Sequence, residues 1–152
     1  MDTQTFSLVI VSATLTLALT TGLAIVVIGR LRAKSDLPLS HGVSGAVAVP
    51  VRQLKRSFGL FGYSKNGINP KLEITSDALH FRVFKPDHWP FSEISKVDIS
   101  SLPFITRLEI SSRSNGQLYI DVADKTRAAD FLRALPATLP YTERAAALRN
   151  PG

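Results

Sequence analysis

Histidine is the side chain best suited to acid–base and metal chemistry near neutral pH, and this chain contains three: His41, His80 and His88. None of them stands four residues from a second ligand, the spacing that puts two metal ligands on one helix face, and none lies beside a pair of carboxylates. The chain has no cysteine, which excludes disulfides, thiolate zinc sites and thiol catalysis. The spacing of the histidines and the lack of cysteine therefore predict no catalytic residue, no metal site and no cofactor.

Larger catalytic signatures are also missing from the sequence. It contains no glycine-rich phosphate loop, no Gly-x-Ser-x-Gly elbow and no Walker sequence. Some carboxylates fall at polar positions of segments with strand periodicity, each near a lysine or arginine, and we expect them to be solvated. They are Glu73, Asp98, Glu109 and Asp121. Together these observations predict a protein that is not an enzyme.

The strongest candidate for a binding segment is residues 51–63, which interleave basic and aromatic side chains. This segment could lie on anionic lipid headgroups, with the cations near phosphates and the rings at the interface. Alternatively, it is an ordinary first strand whose aromatic side chains pack inside a domain. In the first interpretation the residues at the membrane surface are Arg30, Arg32, Lys34, Arg52, Lys55, Arg56, Phe58 and Phe61.

Residues 6–29 form a long apolar run without a charged side chain. About 20 apolar residues at roughly 1.5 Å each span the roughly 30 Å hydrocarbon layer, so the run predicts one transmembrane helix. A cleaved secretory signal is the alternative, but such a signal has a positively charged start and an apolar stretch of only about 7 to 15 residues. Hydroxyl side chains in the run can bond back to their own helix and do not by themselves indicate a pore.

Basic residues flank only one end of this predicted helix. Arg30, Arg32 and Lys34 follow it, whereas residues 1–5 carry no basic side chain. The positive-inside rule then predicts a single-pass protein of a bacterial inner (plasma) membrane, with the tail 1–5 outside and the C-terminal domain in the cytoplasm. Small side chains recur every four positions within the helix, a pattern suited to helix–helix contact. They are Thr14, Ala18 and Gly22.

The region beyond the predicted anchor has the pattern of a linker followed by a small domain. Residues 30–50 are interrupted by Ser, Gly and Pro often enough to prevent a long helix. Over residues 71–122 apolar side chains alternate with polar ones, which is typical of half-buried strands. Within that stretch, Asn115-Gly116 predicts a two-residue type I′ hairpin, because both residues tolerate positive φ.

After these strands the apolar period changes to 3.6, which predicts one amphipathic helix between a cap at Asp124 and a stop at Pro136. The apolar residues of this period are Ala128, Phe131, Leu132 and Leu135. Residues 141–152 form a tail or a short second helix capped by Thr142. That helix has few apolar residues to pack, so we expect it to be marginal.

The segment Trp89-Pro90-Phe91-Ser92-Glu93-Ile94 resembles the phrase that leads into the central strand of the bacterial pleckstrin-homology-like domains, which are related in fold to GRAM domains. With the order of strands, hairpin and helix, the resemblance covers about residues 58–135. It implies an α+β protein: an N-terminal transmembrane helix, then over residues 51–140 a small antiparallel PH-like β-barrel or sheet closed by one C-terminal helix. A fold of this kind hosts many functions and implies no more than a binding module.

Inositol-phosphate recognition is not expected from this resemblance. Lipid-binding pleckstrin-homology domains hold the phosphates with a Lys followed by a Lys or Arg, one further residue and an Arg. Here Lys71 is followed by His80-Phe81-Arg82, so a mostly neutral histidine stands where a fixed cation is needed.

The sequence thus predicts a single-pass, membrane-anchored, noncatalytic binding module that acts as an adaptor or accessory subunit of a membrane complex. The alternative function is a peripheral sensor of anionic lipid, which uses the basic-aromatic segment. The formal net charge of +6 is compatible with anionic lipid. Nucleic acid is not expected as a partner, because no nucleic-acid motif accompanies the charge. We expect a protein partner.

Overall fold

The computed structural model describes the backbone of residues 3–35, 37–41, 45–59, 62–102 and 105–150. Within these ranges it describes side chains except at residues 3–11, 28, 31–35, 41, 101 and 102. The chain divides into two compact units, residues 1–34 and residues 35–152.

The first unit consists of the helix α1, Thr3–Ser35. Hydroxyl side chains in its described part bond back to the helix backbone, as the sequence predicts: Thr16 Oγ1 donates to the Ser12 carbonyl over 2.8 Å, and Thr21 Oγ1 to the Leu17 carbonyl over 2.7 Å. These hydroxyls therefore satisfy themselves within the helix and need no external partner.

Among the described residues, no helix is long and apolar enough to cross a membrane. This finding overturns the predicted transmembrane helix over residues 6–29. It also overturns the predicted single-pass topology and the inner-membrane location, with its outside N-terminus and cytoplasmic C-terminal domain.

The second unit is built mainly from short antiparallel strands. In chain order they are β1 (Ser40–His41), β2 (Val47–Ala48), β3 (Gln53–Ser57), β4 (Tyr63–Asn66), β5 (Lys71–Ile74), β6 (Ala78–Arg82), β7 (Pro86–Pro90), β8 (Ile94–Leu102), β9 (Ile105–Ser112) and β10 (Gln117–Val122). Two helices follow them, α2 (Lys125–Ala134) and α3 (Glu143–Arg149).

The predicted fold class is wrong in how the strands are grouped into sheets. The described strands form two five-stranded sheets, with the orders β1-β2-β5-β6-β7 and β4-β3-β10-β9-β8, in place of one small barrel or sheet closed by one helix. The physical reason is that period-two alternation shows which face of a strand is buried but not which strands are neighbours. Of the two alternatives for residues 141–152, the short helix capped by Thr142 is the one found: α3 packs beside α2 and against β8.

The buried apolar side chains of both sheets and of the two short helices belong to one core cluster. The predicted strand faces are confirmed: in β5, Leu72 and Ile74 are buried and alternate with exposed residues. The predicted helix is also confirmed, since Asp124 accepts a hydrogen bond from the Arg127 N–H over 2.8 Å and Phe131 is fully buried on the inner face.

The hairpin between β9 and β10 exists, but its turn is longer than the two residues predicted from Asn115-Gly116. Ser112 N–H donates to the Gly116 carbonyl over 2.9 Å, which leaves three residues in the loop. The Ser112 hydroxyl accepts from the N–H of Asn115 over 3.2 Å and so supports the wider turn. Only Gly116 is needed for its positive φ of 83°.

Candidate functional site

The basic-aromatic segment forms an interior strand of the second sheet. β3 pairs with β4 on one side and with β10 on the other, and Leu54 at its centre is fully buried. The described part of residues 51–63 therefore includes a paired strand, but its rings do not pack inside the domain, since Phe58 is 43% and Tyr63 is 66% exposed. Phe61 lies outside the described residues, and Arg52 lies in the bend just before β3.

Lys55 lies on the outer face of this sheet and contacts aromatic rings there. Its Nζ atom is 4.2 Å from the ring centroid of Tyr63 on β4 and 5.7 Å from that of Tyr119 on β10. An ammonium group over an aromatic face is attracted by the ring quadrupole, by about 0.5 to 1 kcal/mol at an exposed site. Lys55 is thus already engaged within its own sheet.

Arg56 has the opposite parity and points to the inner side of the sheet, where its guanidinium group forms an ion pair with Asp87 of β7. Its Cζ atom is 4.7 Å from the ring centroid of Phe58 and 5.5 Å from that of Trp89. The side chain is only 16% exposed. A buried charge must be paired, so Arg56 links the two sheets and is not available as a free headgroup contact.

A pocket of about 380 Å³ opens at this junction between the two sheets. The residues that line it are Arg56, Phe58, Ser64, Phe81, Val83, Phe84, Lys85, Pro86 and Asp87. Phe81 and Val83 are buried and form its floor, whereas the rings at its rim are open to solvent: Phe84 is 84% exposed and Phe58 is 43% exposed. The pocket is therefore apolar at its base and rimmed by two accessible aromatic rings.

The electrostatic balance of the pocket is positive. Asp87 is neutralised by Arg56, and Lys85 is exposed on the turn between β6 and β7. The Nε atom of Arg56 is buried without a hydrogen-bond partner among the described residues. The chemistry that suits such a site is an apolar side chain accompanied by negative charge, because it complements both the floor and the uncompensated cation.

The other predicted binding residues are on α1, in the first unit. Thr14, Ala18 and Gly22 follow one another at intervals of four on the helix and are solvent-exposed. Arg30 is also exposed, and Arg32 and Lys34 lie in the last part of α1.

Two of the three histidines, neither of which stands four residues from a second ligand in the sequence, meet on adjacent strands. His80 of β6 and His88 of β7 are register partners, and their rings stack with centroids 5.4 Å apart. Glu73 of β5 is the register partner of His80 on the other side. In the sequence, the signal for this contact is the spacing of eight residues between the two histidines, one on each side of a tight turn. Among the residues that the structure describes, no group of His, Cys, Asp or Glu could hold a metal ion.

Two of the carboxylates expected to be solvated are buried. Asp121 accepts two hydrogen bonds from the guanidinium group of Arg107, over 2.7 and 3.0 Å. Asp98 is 5% exposed and accepts from Thr142 and Arg144 of the C-terminal segment. Both carboxylates are fully paired by neighbouring elements, so they hold the fold together and leave the pocket as the candidate site.

No known protein-family model matches this chain, and no curated protein matches it in sequence. The resemblance of residues 89–94 to the pleckstrin-homology-like family therefore stays a prediction. What can be proposed about function has to come from the pocket itself.

Proposed function

We propose that the second unit is a noncatalytic protein-binding module, an adaptor that holds an acidic segment of a partner protein by inserting one apolar side chain into the pocket. The observation that carries the proposal is the exposure of Phe84, at 84%, on the rim of a pocket with an apolar floor. Full burial of a side chain of this size stabilises a complex by about 1.5 to 3 kcal/mol, which is the contribution expected of a residue that anchors an interface.

The two rim rings support a protein partner. Phe58 follows β3 of one sheet, Phe84 lies between β6 and β7 of the other, and both rings line the same pocket. Aromatic side chains are enriched at the centres of protein interfaces, where they bury large area at a small cost in conformational entropy. Arginine is also enriched among the residues that dominate binding at interfaces, and Arg56 lines this pocket.

Binding is better supported than catalysis by the ionisable groups of the pocket. They are Arg56, Lys85 and Asp87, and the only carboxylate among them is already paired with Arg56. General acid–base chemistry needs a group free to exchange a proton near the working pH, and this pairing works against that. The acidic character of the partner follows from Lys85 and from the net charge of +6.

The alternative function, a sensor of anionic lipid, has less support. It requires the cations of residues 51–63 to face phosphates, but Lys55 contacts Tyr63 and Tyr119, and Arg56 is paired with Asp87. A lipid sensor would gain about 1 kcal/mol per free surface cation, and these two are already engaged.

A selection experiment tests the proposal. The full chain would be used to select binders from a displayed library of random twelve-residue peptides, and the dissociation constant of each enriched peptide would be measured for the chain and its variants. We expect the enriched peptides to be acidic and to contain one large apolar residue. The Phe84→Ser variant should bind them at least tenfold more weakly than the unchanged chain, and Lys85→Glu should also bind them more weakly.

The matched controls are Ile68→Ser and Lys71→Glu. Ile68 is 79% exposed on a different turn, and Lys71 is exposed on β5; neither lines the pocket. Both variants should keep full affinity. Enrichment of no peptide, or equal losses in Phe84→Ser and Ile68→Ser, would contradict the proposal. Binding to phosphatidylglycerol vesicles in place of peptides would favour the lipid sensor.

A further inference from the structure

Among the described strands, β4 is the edge strand of the second sheet, and none of them pairs with its outer side, which lies next to the pocket. The residues of β3 and β4 pair in antiparallel register, with Arg56 opposite Ser64, and Phe58 N–H donates to the Gly62 carbonyl over 2.9 Å. In such a ladder, hydrogen-bonded and non-hydrogen-bonded pairs alternate. The backbone groups of Ser64 therefore face β3.

The same alternation turns the backbone groups of Tyr63 and Lys65 away from β3. Each residue presents one N–H and one C=O along the open edge, where an extended chain can bond to them as an additional strand. This edge consists of the four residues of β4, Tyr63–Asn66, all of which the structure describes.

The pocket lies on one face of that edge. The side chain of Ser64 lines the pocket, together with Phe84 on the turn between β6 and β7. Side chains of neighbouring strands that stand opposite each other share a face of the sheet. A residue of an added strand placed opposite Ser64 would therefore point its side chain into the pocket.

The other face of the same edge is cationic. Lys65 is exposed on β4, and its register partner on β3 is Lys55. The side chains that flank the pocket-facing residue of an added strand would lie on this face, one beside Tyr63 and the other beside Lys65. Negative charge is favoured there, whereas the pocket favours an apolar group, so the two faces together select a segment in which acidic and apolar residues alternate.

We infer that the partner segment binds as an added strand along β4, with its backbone bonded to Tyr63 and Lys65, an apolar side chain in the pocket and an acidic side chain beside Lys65. This inference rests on the proposed function and states how the partner is held. A second copy of this chain is the competing occupant, and the state of association of the chain tests it.

The probe for this inference is a fluorescein-labelled nonapeptide of alternating glutamate and valine with a phenylalanine at its centre. Its dissociation constant for the full chain would be measured by fluorescence anisotropy. Two further peptides serve as controls: one with N-methyl groups on the alternate amides that would face β4, and one with lysine in place of each glutamate. We expect both to bind at least tenfold more weakly.

The variants separate the backbone of β4 from its charge. Lys65→Pro removes the outward N–H, and proline is tolerated on an edge strand when its nitrogen faces solvent. Lys65→Ala removes the same charge and keeps the N–H. We expect Lys65→Pro to bind at least fivefold more weakly than Lys65→Ala. The fluorescence of the single tryptophan, Trp89, checks that each variant is folded; if Lys65→Pro is not, the N-methylated peptide decides.

The outcomes distinguish this inference from the proposed function. If Phe84→Ser weakens binding but Lys65→Pro and N-methylation do not, strand addition is wrong and the pocket still stands as a binding site. If none of the three changes binding, both proposals fail. If sedimentation shows a dimer of the chain that Lys65→Pro abolishes, the occupant is a second copy and the partner peptide is overturned.

Discussion

The hydroxyl group of Thr142 donates a hydrogen bond to the buried carboxylate of Asp98 over 2.7 Å, and the same hydroxyl accepts from the Ala145 N–H over 3.4 Å. One side chain thus caps the start of α3 and fastens that helix to β8. Lys96 completes the arrangement, with its Nζ atom 2.9 Å from the carboxylate. This contact explains why a helix with few apolar residues is held in the fold.

Stability should depend on pH through Asp98. Burial raises the pKa of this carboxyl, but hydrogen bonds from Thr142, Lys96 and the Ile99 N–H outweigh burial and lower the pKa from 3.8 to about 2. Because the folded pKa lies below the unfolded one, the ionised group contributes stability above about pH 4 and loses it as the pH falls toward 2. We expect a loss of about 2 kcal/mol over that window.

Urea unfolding followed by Trp89 fluorescence at a series of pH values measures this loss. Asp98→Asn should be less stable near neutral pH and should show a flatter pH dependence than the unchanged protein. Thr142→Val should cost about 1 to 2 kcal/mol, whereas Thr142→Ser keeps both hydrogen bonds and should cost much less. An unchanged pH profile in Asp98→Asn would show that other carboxylates control acid unfolding.

Phe131→Ala should destabilise the second unit strongly. The ring is fully buried where α2 packs on the sheet, and removal of such a ring leaves a cavity that costs about 3 to 5 kcal/mol. The matched control is Arg133→Ala on the same helix, whose side chain is 53% exposed and should cost less than about 1 kcal/mol. Equal urea midpoints for the two variants would contradict the position of the core.

Gly116→Ala should be poorly tolerated, because this glycine has a φ of 83° and an added Cβ would lie 2.2 Å from the Ser57 carbonyl oxygen. The left-handed conformation alone costs about 1 to 2 kcal/mol for alanine, and the contact with backbone adds to that cost. Gly67→Ala is the control, since its nearest neighbour is a flexible Gln53 side-chain atom at 3.5 Å. Thermal melts that fall equally for both variants would disprove this assignment.

Local patterns determined much of the second unit. The alternation in β5 and β6 correctly predicts which side chains are buried, and the 3.6 period with caps at both ends correctly predicts α2. These features depend on neighbours within a few residues, so they are present in the sequence itself. The apolar run of residues 6–29 is also visible in the sequence. Its interpretation as a membrane span is contradicted, because no helix of the described residues is long and apolar enough to cross a membrane.

Tertiary structure alone decided the features that matter for function. Arg56 and Asp87 are far apart in sequence, as are Asp98 and Thr142, and only the tertiary placement of their elements joins each charged side chain to its partner. The same placement brings Phe84 to the rim of a pocket. Periodicity reports one buried face per strand, but the energy of a buried charge depends on which partner the other sheet presents to it.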